Sequence, residues 1–151
     1  MANDDVDLIE LLERDHRRID DLAERLDSTA DTDEIRDLYR QIVDGLLAHE
    51  AIENEVLFPA FRAMLDDRGE RALESRLGEH DELNELLEEM RDLDMSGFAF
   101  IKRGSALLLE LEGHFAREEE TVFAPMRAQL PRDELLRLGR AALTVKHPTS
   151  T

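Results

Sequence analysis

His49 and Glu53 stand four residues apart in HEAIENEVLFP (His49–Pro59), and His114 and Glu118 repeat that spacing in HFAREEETVFAP (His114–Pro125). On a helix, residues four apart share a face. In the first stretch that face also carries Ile42, Leu46, Val56 and Ala60, so it turns toward a core. A histidine and a carboxylate on a buried stripe are costly to desolvate unless something satisfies them. A metal ion satisfies both at once.

Two further histidines fall on apolar stripes: His16 between Leu12 and Ile19, and His80 between Leu77 and Leu83. Singly, each is more often a hydrogen-bonded core residue than a ligand. Four on four helices are different, because clustered imidazoles and carboxylates would carry a large desolvation cost without a cation. Imidazole and carboxylate without sulfur suit iron or manganese, with zinc a further candidate. Four histidines and three candidate glutamates exceed the needs of one ion with an open position, so two ions sharing bridging carboxylates fit better. A ferritin-like di-iron site would want two ExxH motifs. This chain has only Glu13–His16 in that spacing.

Helical periodicity runs through almost the whole chain, with no strand signal. The pattern predicts a first helix from Asp4 or Asp5 to Asp27 and a second from Thr32 or Asp33 to Leu65. A third follows over Glu70–Asp94, a fourth over Phe98–Gln129, and a short one over Pro131–Leu143. Pro59 and Pro125 lie inside their patterns and predict kinks. Gly45, Gly104 and Gly113 sit inside helices at some cost, an expected sign of close helix contact or a ligand channel. The fold class is therefore all-α: an up-down-up-down antiparallel four-helix bundle with a short fifth C-terminal helix, residues 1–151 forming one domain and 144–151 a tail. The halves repeat, with 33 residues from His16 to His49 and 34 from His80 to His114. A duplicated hairpin with a pseudo-two-fold axis would bring the four histidines to one level.

The set His16, HEAIE (His49–Glu53), His80 and HFARE (His114–Glu118), with a proline after each glutamate turn, resembles the hemerythrin-like HHE cation-binding domain over about residues 8–128. The resemblance implies two iron ions, oxo- and carboxylate-bridged, ahead of manganese or zinc. Glu53 and Glu118 would bridge, and the histidines would fill terminal positions. One departure is Asn84, where oxygen-carrying hemerythrins place a second histidine. Glu50 is the candidate substitute, in an arrangement similar to that of hemerythrin-like iron sensors; its alternative is a place on the bundle rim. Between Glu118 and Glu119, the helical angle favours Glu118, roughly 40° from His114 rather than 140°. Matching the prolines favours Glu119.

Composition narrows the partners. No cysteine is present, which excludes disulfides and thiolate chemistry. A formal charge of −18 speaks against nucleic acid and anionic membranes as partners. Lys102 and Lys146 are the only lysines beside seventeen arginines, a balance expected of a salt-rich, halophilic cytoplasm. No apolar run reaches transmembrane length, and no signal peptide is apparent, so a cytoplasmic location is expected. The expected function is binding of, or reaction with, dioxygen, nitric oxide or peroxide, in sensing, scavenging or iron handling. A di-iron oxidoreductase and a metal-free helical adaptor are the alternatives, and the oligomeric state is left open.

Overall fold

The computed structural model describes residues 6–64 and 67–145, and among these every regular element is helical. Helix α1 (Leu8–Ser28) begins after the expected Asp4 or Asp5, because Asp7 caps it by accepting the Glu10 N–H at 2.7 Å. Helix α2 (Thr32–Ile52) is capped by Asp31. It passes into a π turn, π1 (Glu53–Leu57), and then α3 (Phe58–Arg62). This rod stops at Arg62, short of the expected Leu65, and Leu65 itself lies outside the described residues. Helix α4 (Asp67–Arg91) starts three residues before the expected Glu70 and ends three before Asp94. Helix α5 (Phe98–Glu118), π2 (Glu119–Phe123) and α6 (Ala124–Gln129) form the fourth rod with the expected ends. Helix α7 (Arg132–Leu143) follows, with Pro131 at its N-cap. His147 and the rest of the tail beyond Val145 lie outside the described residues.

The prolines act through the π turns. A proline has no N–H, and its ring crowds the carbonyl four residues back. Widening the turn to i→i+5 bonding relieves that contact without ending the helix. Thus Phe58 donates to the carbonyl of Glu53, and Ala124 to that of Glu119, each just before its proline.

The core comes in two apolar clusters separated by a polar layer. One holds Ile19 to Leu26 of α1, Ile35 to Leu46 of α2, Leu83 to Met90 of α4 and Phe100 to Leu111 of α5. The other holds Leu8 to Leu12, Val56 to Phe61, Leu73 and Val122 to Met126, closed by Leu135, Leu138 and Ala142 of α7. On each long rod the histidine falls at the junction. The order of the clusters along the chain alternates from rod to rod, as an up-down-up-down bundle requires. Tyr39 ties the first cluster, donating its hydroxyl to the Leu87 carbonyl at 2.5 Å.

The glycines differ from expectation. A Cβ on Gly45 would meet only Ile19 and Arg18 at ordinary distance, and one on Gly104 would meet nothing within 4 Å. Gly104 instead borders a cavity of about 200 Å³ with Leu26, Ile35, Met95 and Phe100, in the cluster beyond the polar layer from α7. A Cβ on Gly113 would crowd only the mobile end of Arg117. The close approach is at Gly139, where a Cβ would lie 1.9 Å from the Val6 carbonyl oxygen, because α7 packs directly on the entry to α1. Gly139→Ala should therefore cost about 1–3 kcal/mol of stability, as overpacking does. Gly78→Ala, with open space around it, should gain roughly 0.5–1 kcal/mol from helix propensity. Denaturant unfolding of both variants checks the pair; equal effects would refute this packing of α7.

Candidate metal centre

Each histidine lies one turn after an apolar residue of its own helix, Leu12, Leu46, Leu77 and Leu111 in turn, so that it faces the interior. His16, His49 and His114 are 1 % exposed, His80 is 5 %, and Glu53 and Glu118 are 0 %. Their side chains form two groups. In one, ligand-capable atoms of His16, His49, Glu53 and Glu118 all lie within 4.8 Å of one another. In the other, the same holds for Glu53, His80, His114 and Glu118.

The two shared glutamates divide their oxygens between the groups. Glu53 turns Oε2 to His49 Nε2 at 3.1 Å and Oε1 to His80 Nε2 at 3.0 Å. Glu118 turns Oε1 to His16 Nε2 at 2.9 Å and to His49 Nε2 at 3.6 Å. Its Oε2 faces His80 and His114 at 3.9 and 3.8 Å. One carboxylate with an oxygen toward each of two imidazole pairs is the geometry of a bridge.

The outer nitrogens fix what the inner ones offer. His16 Nδ1 faces Glu119 Oε2 at 2.7 Å, His49 Nδ1 faces Asp15 Oδ2 at 3.1 Å, and His114 Nδ1 faces Glu79 Oε1 at 2.7 Å. An ionised carboxylate only accepts, so these Nδ1 atoms carry the hydrogens and donate outward. In the neutral rings the corresponding Nε2 atoms then point lone pairs inward, among carboxylate oxygens that also only accept. His16 Nε2 and His49 Nε2 are 3.1 Å apart. Both oxygens of Glu53, Oε2 of Glu118 and Nε2 of His80 are buried without a hydrogen bond. A buried centre made almost wholly of acceptors needs cations, either protons or metal ions. These residues fit bound metal, in two ligand-capable groups that share Glu53 and Glu118.

Charge coupling follows the same map. Burial lowers the His16 pKa to about 4, against the pull of Glu118. His49 and His80 rise above the ordinary imidazole value. Burial alone would lower both, but the facing carboxylates, Glu53 chief among them, outweigh it. Glu53 is held well below the carboxylate range despite its burial, by His49, Glu118 and His80.

Glu50 and Glu119 occupy different positions from the six central residues. Glu50 is buried beside the groups but belongs to neither; its Oε1 accepts from Asn84 Nδ2 at 3.2 Å and its Oε2 has no partner. It thus meets the very position where oxygen carriers have a histidine. Glu119, half-exposed, backs His16 from outside, and Glu118 takes the inward position. Glu13 turns outward to Arg127 at 3.3 Å. His16 stacks on Phe115 and Phe123, with ring centroids 3.9 and 5.2 Å away. Sequence reasoning missed Asp15, Glu79, Arg76 and Arg117. A signal existed, since a carboxylate directly precedes both His16 and His80.

Metal ligation requires neutral Nε2 atoms, whereas His49 and His80 retain protons above the usual imidazole range in the metal-free protein. Loading at neutral pH should therefore expel protons, and affinity should fall as pH drops. Calorimetry in buffers of different ionisation enthalpy measures this release. Heats independent of the buffer would contradict the protonation assigned here.

Known proteins resemble this chain in sequence. The profile of the Hemerythrin HHE cation binding domain matches residues 7–124. The chain is 28 % identical over 130 residues to a DNA nickase of Nostoc sp., covering 86 % of this chain and 36 % of that one. It is 39 % identical over 64 residues to the iron-sulfur cluster repair protein ScdA of Staphylococcus haemolyticus, covering 40 % and 29 %. It is 25 % identical over 126 residues to an uncharacterized hemerythrin-like protein of Schizosaccharomyces pombe, covering 83 % and 62 %. The matches thus span less than two thirds of each relative's length. No solved structure matches at the same level of significance. No helix among the described residues is long and apolar enough to cross a membrane. With the profile spanning most of its length over a buried histidine–glutamate centre, the chain belongs to the hemerythrin family of HHE cation-binding domains.

Proposed function

We propose that this chain is a non-heme di-iron protein that binds or reacts with dioxygen, nitric oxide or peroxide, serving sensing, scavenging or iron handling. The observation that carries the reading is the division of oxygens: Glu53 and Glu118 each offer one oxygen to either imidazole pair. Two cations held by shared carboxylates fit this better than one, since a single ion would leave half the acceptors unsatisfied. A bound iron pair would supply redox chemistry and a coordination position for the small ligand.

The residues would divide the work. Glu53, Glu118 and the four imidazoles would hold the metal. Asp15, Glu79 and Glu119 orient three of those rings. Phe58, Phe61, Phe115 and Phe123, each about 98–99 % buried, exclude water from the centre. Glu50 brings a buried, unpartnered oxygen to the edge of the His80 side, as a further ligand or a proton acceptor. Similarity to the iron-sulfur cluster repair protein ScdA supports iron handling as the setting. A net charge of −18 favours a small ligand over nucleic acid.

Elemental analysis of protein purified from its native host tests the reading. About two irons per chain, with an absorption band that changes between air and reductant, is the expected result; a chain without metal would overturn it. His49→Ala and His114→Ala should each lower metal content, whereas a helical adaptor would lose none. Consumption of peroxide or nitric oxide above that of free iron would move the protein into the oxidoreductase class.

A further inference from the structure

The pseudo-two-fold relation pairs His16 with His80 and His49 with His114, yet the surroundings of the two halves are not alike. Asp15 and Glu79, each directly before a histidine, back His49 and His114 in the same way. Asp15 makes no ion pair with an arginine among the described residues. Glu79 makes two. Arg76 grips it from Nε at 2.8 Å and Nη2 at 3.2 Å, and Arg117 Nε reaches its Oε2 at 2.5 Å.

The arginines belong to one half only. Counting from the paired histidines, the place of Arg76 is taken in the other half by Leu12, and that of Arg117 by Ile52. Glu119, which backs His16, has as its counterpart the exposed Asn54, which carries no charge. In the His16/His49 half neither backing carboxylate, Asp15 or Glu119, is in a close ion pair with an arginine among the described residues, although the charge of Arg17 reaches Glu119. The His80/His114 half has one carboxylate backing a ring from outside, Glu79, and that one is shared with two guanidinium groups.

A carboxylate on the Nδ1–H of an imidazole raises the donor strength of Nε2, and changes at that outer position typically alter metal affinity 10–100-fold. A carboxylate already neutralised by arginine pulls less on the same hydrogen. Resting on the metal-pair reading above, we propose that Arg117 is a positioning residue that acts through Glu79 to weaken His114 as a donor, so that the two ions are held unequally. Arg76 has a different task. It is buried, and Arg76 Nη1 also donates to Thr121 at 2.8 Å, so it fixes the orientation of Glu79. The weaker imidazole leaves more positive charge on the ion beside it, hence a stronger pull on an added carboxylate or peroxide. That is the half that Glu50 faces.

Arg117 is half-exposed, so its replacement spares the fold. Ferrous ion titrated into the anaerobic metal-free protein, followed by calorimetry, provides the test. Arg117→Gln should tighten metal binding by roughly three- to tenfold, part of the 10–100-fold range for outer partners, and Arg117→Lys should stay near the wild type. Asp15→Asn should act oppositely, weakening binding about tenfold or more. In a Glu79→Gln background, Arg117→Gln should have no effect on affinity, because the charge it releases is gone. A merely structural Arg117 predicts looser binding in Arg117→Gln, and that result, or a tightening that survives in Glu79→Gln, overturns the inference while the metal pair stands. Binding of fewer than two ions by the wild type overturns both.

Discussion

Everything in this fold accommodates a buried centre in which inward imidazole nitrogens meet carboxylate oxygens and almost nothing donates. Three rings give their Nδ1–H outward, to Glu119, Asp15 and Glu79, so that each neutral ring turns an Nε2 lone pair toward Glu53 and Glu118. Such an arrangement is unfavourable in an apolar interior without positive charge in its midst. Two apolar clusters on either side press it shut, and α7 closes the end nearer the chain entry. The stability of the bundle and the demand for a cation are thus one problem.

Much of this was legible in the sequence, because a heptad-like stripe interrupted by a histidine at the same depth on four rods is a strong pattern. The bundle, the level of His16, His49, His80 and His114, and the inward direction of Glu53 and Glu118 all follow from helical spacing. The ambiguity between Glu118 and Glu119 has a physical origin in the π turns. Both begin six residues before a proline, yet ten residues separate His49 from Pro59 and eleven separate His114 from Pro125. Matching the prolines therefore slips the glutamates by one place, whereas spacing from the histidine does not.

The parts that periodicity did not reveal are those set by neighbouring helices. Asp15 serves a ring on α2, and Glu79 a ring on α5, so neither relation appears in any single helix. The close contact at Gly139 likewise depends on where α7 docks, which the stripe Leu135, Leu138 and Ala142 leaves undetermined. The helix ends moved by about three residues where capping or the approach to a turn overrode the apolar pattern, as at Asp7 and Arg91. The near-symmetry of the halves is broken mainly outside the six central residues, by Arg76, Arg117, Glu50 and Asn54. Family membership accounts for the centre, and this outer asymmetry is where the chain acquires its own character.

The central claim is that two cations lie between imidazole pairs and share both glutamates. Anomalous diffraction at the iron edge, from crystals of the iron-loaded protein, addresses it most directly. The account predicts two peaks, one beside His16 and His49 and the other beside His80 and His114, each within bonding distance of Glu53 and Glu118. A single peak, or peaks outside this layer, would contradict it.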